Sequence, residues 1–338
     1  MINSIYQLVS PKVFTIKYED ISIKDQIIVK PCYLALCHAD QRYYQGKRDK
    51  KVLAKKLPMA LIHECCGKVI FDPTGTFEAG QSVCLMPNVA GEGPDYIYPN
   101  YQKGSKFLSS GYDGFMREYV AIDKEQIVKI PNDVPMNIAA ITEFVTVACH
   151  ALNRFERISH ENRGRIGIWG DGSLAFTLAT VMRYKYPDMH ITVLGKDPQK
   201  LSMFSFVDET LFIDEIPEDF MIDHAFECVG NAVSGDAIDD IIKYIKPQGS
   251  VMLMGVSETP VPVFTRNVLE KGLTLVGCSR SNRGDFEDAA NIIADKNVQD
   301  RLSLIITEEL SVKNISDIHT AFAIDQNNPF KTVMKWDI

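Results

Sequence analysis

Residues 165–186 of this chain read RIGIWGDGSLAFTLATVMRYKY. The first five are a short apolar run typical of a buried strand, and residues 174–186 are long enough for a helix. Between them Gly170, Gly172 and Ala175 fit the GxGxxA pattern of a dinucleotide-binding turn. The first glycine of such a turn makes the bend, the second admits a pyrophosphate, and the small third residue lets the helix approach the strand. These three residues are therefore candidates for cofactor binding.

The sequence around this turn predicts an α/β fold with a doubly wound parallel sheet, because short apolar runs alternate with helical segments from residue 146 onward. Further strands of this sheet are predicted at 191–194, 224–228, 251–255 and 273–277.

The remainder of the chain has a different pattern of predicted elements. Its first third is β-rich, with alternating segments at 26–30 and 115–120 separated by Gly and Pro. A helix is predicted at 285–294 and a closing strand at 331–335. We therefore predict two domains, with a dinucleotide-binding domain inserted into a catalytic domain: 146–279 for the former, 1–145 and 280–338 for the latter.

The composition narrows the class of protein. With 338 residues, 46% of them hydrophobic and 24% charged, the chain is typical of a soluble two-domain protein. It has no apolar run of the ~18 residues that a membrane helix needs, so we expect a cytoplasmic protein. A net charge of −8 argues against general nucleic-acid binding. The eight cysteines are scattered and form no disulfide framework, which favours reduced thiols.

The end of the second predicted strand bears on the choice between NAD and NADP. Proteins of this fold place an acidic residue there for the ribose 2′-hydroxyl of NAD, or basic residues for the 2′-phosphate of NADP. Here the apolar run stops at Leu194, and Gly195, Lys196 and Lys200 follow as candidates for binding NADPH. NAD remains an alternative cofactor. If the predicted end of the strand were wrong by two residues, Asp197 would be the carboxylate that selects NAD.

Four side chains that precede the glycine turn are of the types that hold a catalytic zinc ion. Cys37, His63, Glu64 and Glu143 offer thiolate, imidazole and carboxylate ligands. Each alone is weak evidence, because buried Cys is often a small hydrophobe and His is often a hydrogen-bonded core residue. Their joint order with the nucleotide turn predicts a zinc ion that polarises a carbonyl group for hydride transfer from a nicotinamide.

This order of residues resembles the zinc-containing medium-chain alcohol and polyol dehydrogenases over nearly the whole chain. The resemblance implies a GroES-like β-rich catalytic domain together with a Rossmann domain. It also implies one catalytic zinc ion bound by Cys37, His63 and a carboxylate. Either Glu64 or Glu143 would be the direct ligand, and both alternatives remain open.

The chain departs from the family pattern at three places. Ile62 stands where the family usually has a glycine before the His-Glu pair, and Ala39 replaces the Ser or Thr hydroxyl of the usual proton relay. Residues 87–119 contain no cysteine, which predicts that the four-cysteine structural zinc of many members is missing. Asp40 and His38 are candidates for orienting the metal ligands through hydrogen bonds.

Longer motifs resemble the branch of the family that reduces ribulose 5-phosphate. They are CHADQRYY at 37–44, LPMALIHE at 57–64, SSGYDGFM at 109–116, WGDG at 169–172, HAFEC at 224–228 and LEKGLTLVGCSRS at 269–281. This resemblance implies zinc-dependent reduction of D-ribulose 5-phosphate to D-ribitol 5-phosphate by NADPH. It further implies a homodimer whose product supplies a cytidylyltransferase in the synthesis of CDP-ribitol for teichoic acid or capsule.

A sugar phosphate needs cations, and the planar fork of arginine suits two phosphate oxygens. By resemblance to polyol dehydrogenases, Arg280, Arg42 and Tyr43 are candidates for substrate binding, with Arg283 a weaker one. Two other functions remain open. One is an NAD-dependent zinc polyol or alcohol dehydrogenase acting on an unphosphorylated substrate, and the other is a nucleotide-binding sensor or assembly subunit that has lost its metal.

Overall fold

The computed structural model describes residues 1–338. In chain order the strands are β1 (Ile2–Ser10), β2 (Val13–Asp20), β3 (Ile27–Ala35), β4 (Met59–Ala60), β5 (Glu64–Phe71), β6 (Ser82–Leu85), β7 (Asn88–Val89), β8 (Lys106–Phe107), β9 (Val120–Ile122), β10 (Ile127–Lys129), β11 (Arg165–Trp169), β12 (His190–Gly195), β13 (Glu209–Phe212), β14 (His224–Glu227), β15 (Ser250–Leu253), β16 (Thr274–Gly277), β17 (Ile306–Val312) and β18 (Lys331–Trp336).

The helices are α1 (His38–Tyr44), α2 (Lys50–Lys56), α3 (Met136–Ala140), α4 (Thr142–Ile158), α5 (Ser173–Lys185), α6 (Pro198–Leu201), α7 (Ser234–Tyr244), α8 (Thr265–Lys271), α9 (Arg283–Ile292), α10 (Lys296–Ile305) and α11 (Ile315–Asp325). Two single 3₁₀ turns lie at Pro99–Tyr101 and Lys124–Gln126. None of the helices combines the length and the apolar character that a bilayer-spanning segment requires.

The chain divides into two units, one formed by Met1–Thr146 with Arg280–Ile338 and the other by Val147–Ser279. The second unit is built on a six-stranded sheet in the order β13-β12-β11-β14-β15-β16, with every neighbouring pair parallel. From β11 the chain adds β12 and β13 on one side and then β14, β15 and β16 on the other. This is the strand order of a doubly wound dinucleotide-binding sheet. The sequence-based prediction of the fold is thereby confirmed.

The strands of this sheet were recognisable because they are covered on both faces. Ile166, Ile168 and Trp169 of β11 are all buried, and so is every residue of β14. Helix α7 packs Ile241 into the same core as Trp169 and Val251. Strands buried on both faces read as continuous apolar runs rather than as alternating patterns.

The first unit is β-rich and contains both ends of the chain. Its largest sheet has the order β10-β6-β5-β3-β18-β17, with β9 also paired to β3, and a second sheet has the order β2-β1-β4. Strand β18 is antiparallel to β3 and parallel to β17, so the C-terminal region supplies the last two strands of this sheet. Side chains such as Leu34, Phe115 and Trp336 form one buried core.

The predicted strand at 115–120 is wrong for most of its length, because β9 begins only at Val120. The backbone of the preceding residues does not pair with a single neighbouring strand. Phe115 N donates to Ile62 O at 2.8 Å, whereas Glu118 N donates to Ser4 O at 2.9 Å. Between them the Arg117 amide turns back to Phe115 O, which interrupts the extended conformation. The alternation of side chains there reflects a buried irregular segment.

Candidate active site

Cys37 lies between β3 and the start of α1, and its position is fixed by Asp40 three residues later. The carboxylate of Asp40 accepts a hydrogen bond from the Cys37 amide at 3.3 Å and another from the Ile62 amide at 3.0 Å. Asp40 is buried whereas the Cys37 side chain is half-buried. The two bonds tie the segment that carries Cys37 to the segment that carries His63.

His63 is the centre of the cluster. Its Nδ1 lies 2.8 Å from Ser109 Oγ and 3.7 Å from Asp40 Oδ2, and its ring packs against Phe107 with 5.2 Å between centroids. Ile62, immediately before it, has φ of 69°, a left-handed conformation that is strained for a β-branched residue. That backbone angle explains on physical grounds why glycine is usual at this position.

Glu64 opens β5 and is fully buried. Its Oε1 accepts a hydrogen bond at 2.5 Å from the buried ammonium of Lys331, which also donates to Leu36 O at 2.8 Å and lies over the ring of Phe144. The other carboxylate oxygen, Oε2, is buried and has no hydrogen-bond partner. A buried carboxylate oxygen in that state is unfavourable unless a cation binds to it.

Glu143, in the first turn of α4, completes the cluster. One donor atom each from His63, Glu64 and Glu143 lies within 4.8 Å of the others, and the same holds for Cys37, Asp40 and His63. His63 belongs to both groups, so each of the other three predicted ligands lies close to it. Soft thiolate, imidazole and carboxylate donors form the set that zinc prefers, and the partnerless Glu64 oxygen fits the presence of a bound cation. The residues fit a zinc ion.

The electrostatics of the cluster agree with that fit. Burial raises the pKa of Glu64 to about 7, even though Lys331 acts to lower it. Burial also raises the pKa of Glu143. For His63 burial acts to lower the pKa, but the carboxylate of Asp40 and the Cys37 side chain raise it well above its usual value. A divalent cation would stabilise the ionised carboxylates and the neutral imidazole together.

The predicted substrate-binding residues lie in the same unit but in different surroundings. Arg280 is half-buried, has φ of 60°, donates to Ser105 Oγ at 3.3 Å and lies over the ring of Phe107 at 5.3 Å. Arg42 is half-buried on α1. Tyr43 is buried, and its hydroxyl accepts a hydrogen bond from Lys56 at 3.1 Å.

Arg283 is placed differently from these three. It is bonded to Glu287 and to the backbone carbonyls of Lys124 and Glu125. These contacts occupy the guanidinium, so Arg283 has a structural role.

The glycine turn of the second unit has the geometry that its sequence predicts. Gly170 has φ of 126°, and a Cβ atom there would stand 3.1 Å from the backbone of Cys228. Around Gly172, which directly precedes α5, there is open space where a Cβ would be. Ala175 is buried on α5. The helix N-terminus and the open space at the second glycine fit a bound pyrophosphate.

Asp171 connects this turn to the end of β12. Its Oδ2 accepts hydrogen bonds from the amides of Lys196 and Asp197 at 2.8 and 2.9 Å. Gly195 is required by the contact, because a Cβ atom there would lie 2.7 Å from Asp171 Cβ. The Asp197 carboxylate caps α6 by accepting from the Gln199 and Lys200 amides. Lys196 is exposed and Lys200 half-buried.

Lys331, Ser109 and Asp171 were not among the predicted site residues. Asp171 lies inside the glycine motif. The pattern therefore predicted its position but not its hydrogen bonds to the end of β12. Lys331 is a lysine in an apolar strand, where an unpaired charge is unfavourable, and that signal indicates a buried anionic partner. Ser109 carries no comparable signal, since its contact depends on a loop conformation.

Comparisons with known proteins agree with this geometry. The alcohol dehydrogenase GroES-like domain matches residues 23–132, and the zinc-binding dehydrogenase model matches residues 192–295. A ribulose-5-phosphate reductase of Streptococcus pneumoniae (strain ATCC BAA-255 / R6) is 51% identical, with 100% of this chain and 98% of the relative covered. That of Bacillus spizizenii (strain ATCC 23059 / NRRL B-14472 / W23) is 47% identical over all of both chains. The crystal structure of S. aureus TarJ in complex with NADPH superposes with a TM-score of 0.89 at 44% identity, covering all of both chains.

Proposed function

The chain belongs to the zinc-binding dehydrogenases that carry an alcohol-dehydrogenase GroES-like domain, and from this premise we propose that it reduces D-ribulose 5-phosphate to D-ribitol 5-phosphate with NADPH. The observation that carries the proposal is that half-buried Cys37 and the buried carboxylates Glu64 and Glu143 each lie close to His63. The full-length similarity to ribulose-5-phosphate reductases supports the choice of substrate.

Cys37, His63 and one of the carboxylates Glu64 and Glu143 would hold the metal in this mechanism. A bound zinc ion supplies Lewis-acid polarisation of the C2 carbonyl group of the substrate, worth several kcal/mol of charge stabilisation. The protein contributes the geometry. Asp40 holds the Cys37 and Ile62 amides in place, and the Lys331 ammonium fixes one oxygen of Glu64.

Lys196 and Lys200 would bind the 2′-phosphate of NADPH, which supplies the hydride. Two observations support NADPH over NAD. Strand β12 ends in Gly195, and the Asp197 carboxylate caps α6, so it is already engaged where an NAD-selecting acid would be needed. The alternative of an NAD-dependent dehydrogenase for unphosphorylated polyols is therefore less well supported.

Arg280 and Arg42 remain the proposed contacts to the sugar phosphate, with Tyr43 acting through its hydrogen bond to Lys56. We place the enzyme in the cytoplasm as a homodimer, supplying ribitol 5-phosphate to a cytidylyltransferase for teichoic acid or capsule precursors. These last proposals rest on the similarity to the reductases. Light scattering and co-purification with the cytidylyltransferase of the same cell would test them.

The test of the proposed function is NADPH oxidation by ribulose 5-phosphate, measured with and without a chelator. The Cys37→Ala variant should lose zinc and turnover while its NADPH affinity, followed by cofactor fluorescence, stays close to that of the unchanged protein. Cys32→Ala is the matched control, because Cys32 is a half-buried thiol on β3 outside the cluster. A Cys37→Ala protein that keeps its zinc content and its rate would refute the ligand assignment.

A further inference from the structure

Lys56, the last residue of α2, is held in an unusual way. Its ammonium donates to Ser110 Oγ at 2.8 Å and to the Tyr43 hydroxyl at 3.1 Å, and it lies 5.8 Å from the centre of the Tyr43 ring. The stem of the side chain runs over Gly111, where an added Cβ would be 3.4 Å from Lys56 Cγ. Contacts of both the stem and the ammonium therefore hold the half-buried Lys56 side chain in one position.

All the partners of this ammonium are neutral. No carboxylate lies within 4.0 Å of Lys56, and its two hydrogen-bond partners are hydroxyl groups. The Arg48 guanidinium lies 4.8 Å from the centre of the same Tyr43 ring. An ordered ammonium whose hydrogen-bond partners are hydroxyl groups keeps its full positive charge and can bind an anion.

The segment 105–111 connects this ammonium to the candidate metal cluster. Ser109 Oγ is 2.8 Å from His63 Nδ1, and the next residue, Ser110, binds Lys56. Ser109 has φ of 63° and Gly111 φ of 91°, so the backbone turns sharply between the two contacts. Ser110, which binds the ammonium, is thus the next residue in the chain after the one whose hydroxyl contacts the central histidine, so a single short segment contacts both groups.

We propose that Lys56, held by Ser110 and Tyr43, recognises the phosphate group of the substrate and so sets the preference for a phosphorylated sugar. The inference rests on the proposed function and adds to it a residue that the sequence motifs did not single out. A phosphate dianion accepts hydrogen bonds from several donors, so Lys56 and the arginine candidates are compatible partners.

A purely structural role for Lys56 makes a different prediction. A lysine in the last turn of a helix also interacts favourably with the helix dipole, and Lys55 shares that position. Lys55 is exposed and makes none of the contacts of Lys56. Lys55→Gln is therefore the matched control for Lys56→Gln, since both remove one charge from the same helix end.

The experiment compares kcat/KM for ribulose 5-phosphate and for unphosphorylated ribulose, with NADPH saturating. Lys56→Gln should lower the value for ribulose 5-phosphate by about 10- to 100-fold, chiefly through KM, because a hydrogen bond to a charged group is lost. The value for ribulose and the KM for NADPH should change by less than about twofold, as should every value for Lys55→Gln. Ser110→Ala should give a smaller loss of the same kind.

Binding of inorganic phosphate gives a second readout that does not depend on turnover. Phosphate should inhibit the unchanged enzyme competitively against ribulose 5-phosphate, and should bind more weakly to Lys56→Gln by calorimetry. Equal losses with both sugars, or an unchanged ratio and unchanged phosphate binding, would overturn the role of Lys56. Failure of the unchanged enzyme to oxidise NADPH with ribulose 5-phosphate would instead refute the proposed function, and phosphate binding would still decide on Lys56.

Discussion

At the scale of single residues, Ser109 is the contact that most constrains the central histidine. When one ring nitrogen of a histidine binds a metal, the other is a donor whose partner fixes the orientation of the ring. Ser109 Oγ, at 2.8 Å from Nδ1, is closer than Asp40 Oδ2 at 3.7 Å. The buried hydroxyl is therefore the nearer acceptor for that N–H group.

Removal of this hydroxyl should weaken zinc binding by about 10- to 100-fold, the usual effect of losing the partner of a metal-bound histidine. The left-handed backbone at Ser109 provides an internal control. Glycine adopts that conformation without strain whereas alanine does not, so Ser109→Gly and Ser109→Ala should lose affinity alike if the hydroxyl matters. The measurement is zinc affinity by competition with a chelator. Wild-type affinity in Ser109→Gly would show that only the backbone is important.

Residue chemistry explains how much of the site was predictable. Cys37, His63, Glu64 and Glu143 could be found because their ligand types and order are distinctive, and the structure brings them together. Their roles as ligands stay predictions. The contact between Lys331 and Glu64 joins residues 267 positions apart, and no local pattern encodes such a pairing. Lys56 was missed for the same reason, since its partners come from two other segments.

At the scale of secondary-structure elements, Asp223 connects three segments of the second unit. Its buried carboxylate accepts hydrogen bonds from the Arg165 amide at the start of β11, from Lys246 after α7 and from the Asn162 side chain. Burial acts to raise the pKa of Asp223, but Lys246 and the Arg165 amide lower it below its usual value. The ionised form is therefore favoured by folding.

Asp223→Asn should lower the free energy of unfolding by about 1–3 kcal/mol at neutral pH, since hydrogen bonds to a charged group are weakened. Because the pKa is lower in the folded state, this contribution is present above the unfolded pKa and is lost as the pH falls through the folded one. The difference from the parent should thus persist down to about pH 5 and shrink as the pH falls further.

The measurement is urea unfolding in a Trp336→Phe background, where Trp169 of the same unit is the remaining tryptophan. Asp219→Asn, an exposed carboxylate nearby in the chain, is the control and should change little. A difference for Asp223→Asn that grows on acidification would contradict the argument.

The elements that were predicted and those that were missed differ in burial. Strands β11, β12, β14 and β15 are largely buried and stand out as apolar runs. Strand β13 has no fully buried residue and β17 has one, so neither offers an apolar run. Helices α1 and α2, of seven residues each, are too short for a clear helical period.

At the scale of the whole molecule, each unit contains the residues proposed for one ligand. The candidate metal residues belong to the first unit and the glycine turn to the second. A ligand that binds only the folded state stabilises it, by about 2.7 kcal/mol at a concentration 100 times its Kd. Zinc and NADPH should therefore stabilise different segments of the chain.

Hydrogen exchange followed by mass spectrometry would show this stabilisation. We expect a chelator to cause its largest loss of protection in β3, β5 and β18, and saturating NADPH to cause its largest gain in β11 and β12. NADH at the same concentration is the control and should protect less. A chelator effect that is largest in β11 and β12 would be inconsistent with the proposed metal residues.

The position of β18 between β3 and β17 has a consequence for biosynthesis. Lys331 is the 267th residue that a ribosome adds after Glu64. Until then the Glu64 carboxylate has no Lys331 ammonium to pair with, and β3 is paired with β5 and β9 but not yet with β18. The candidate metal cluster can therefore gain its Lys331 contact only late in translation, whereas residues 147–279 are made earlier and can fold first.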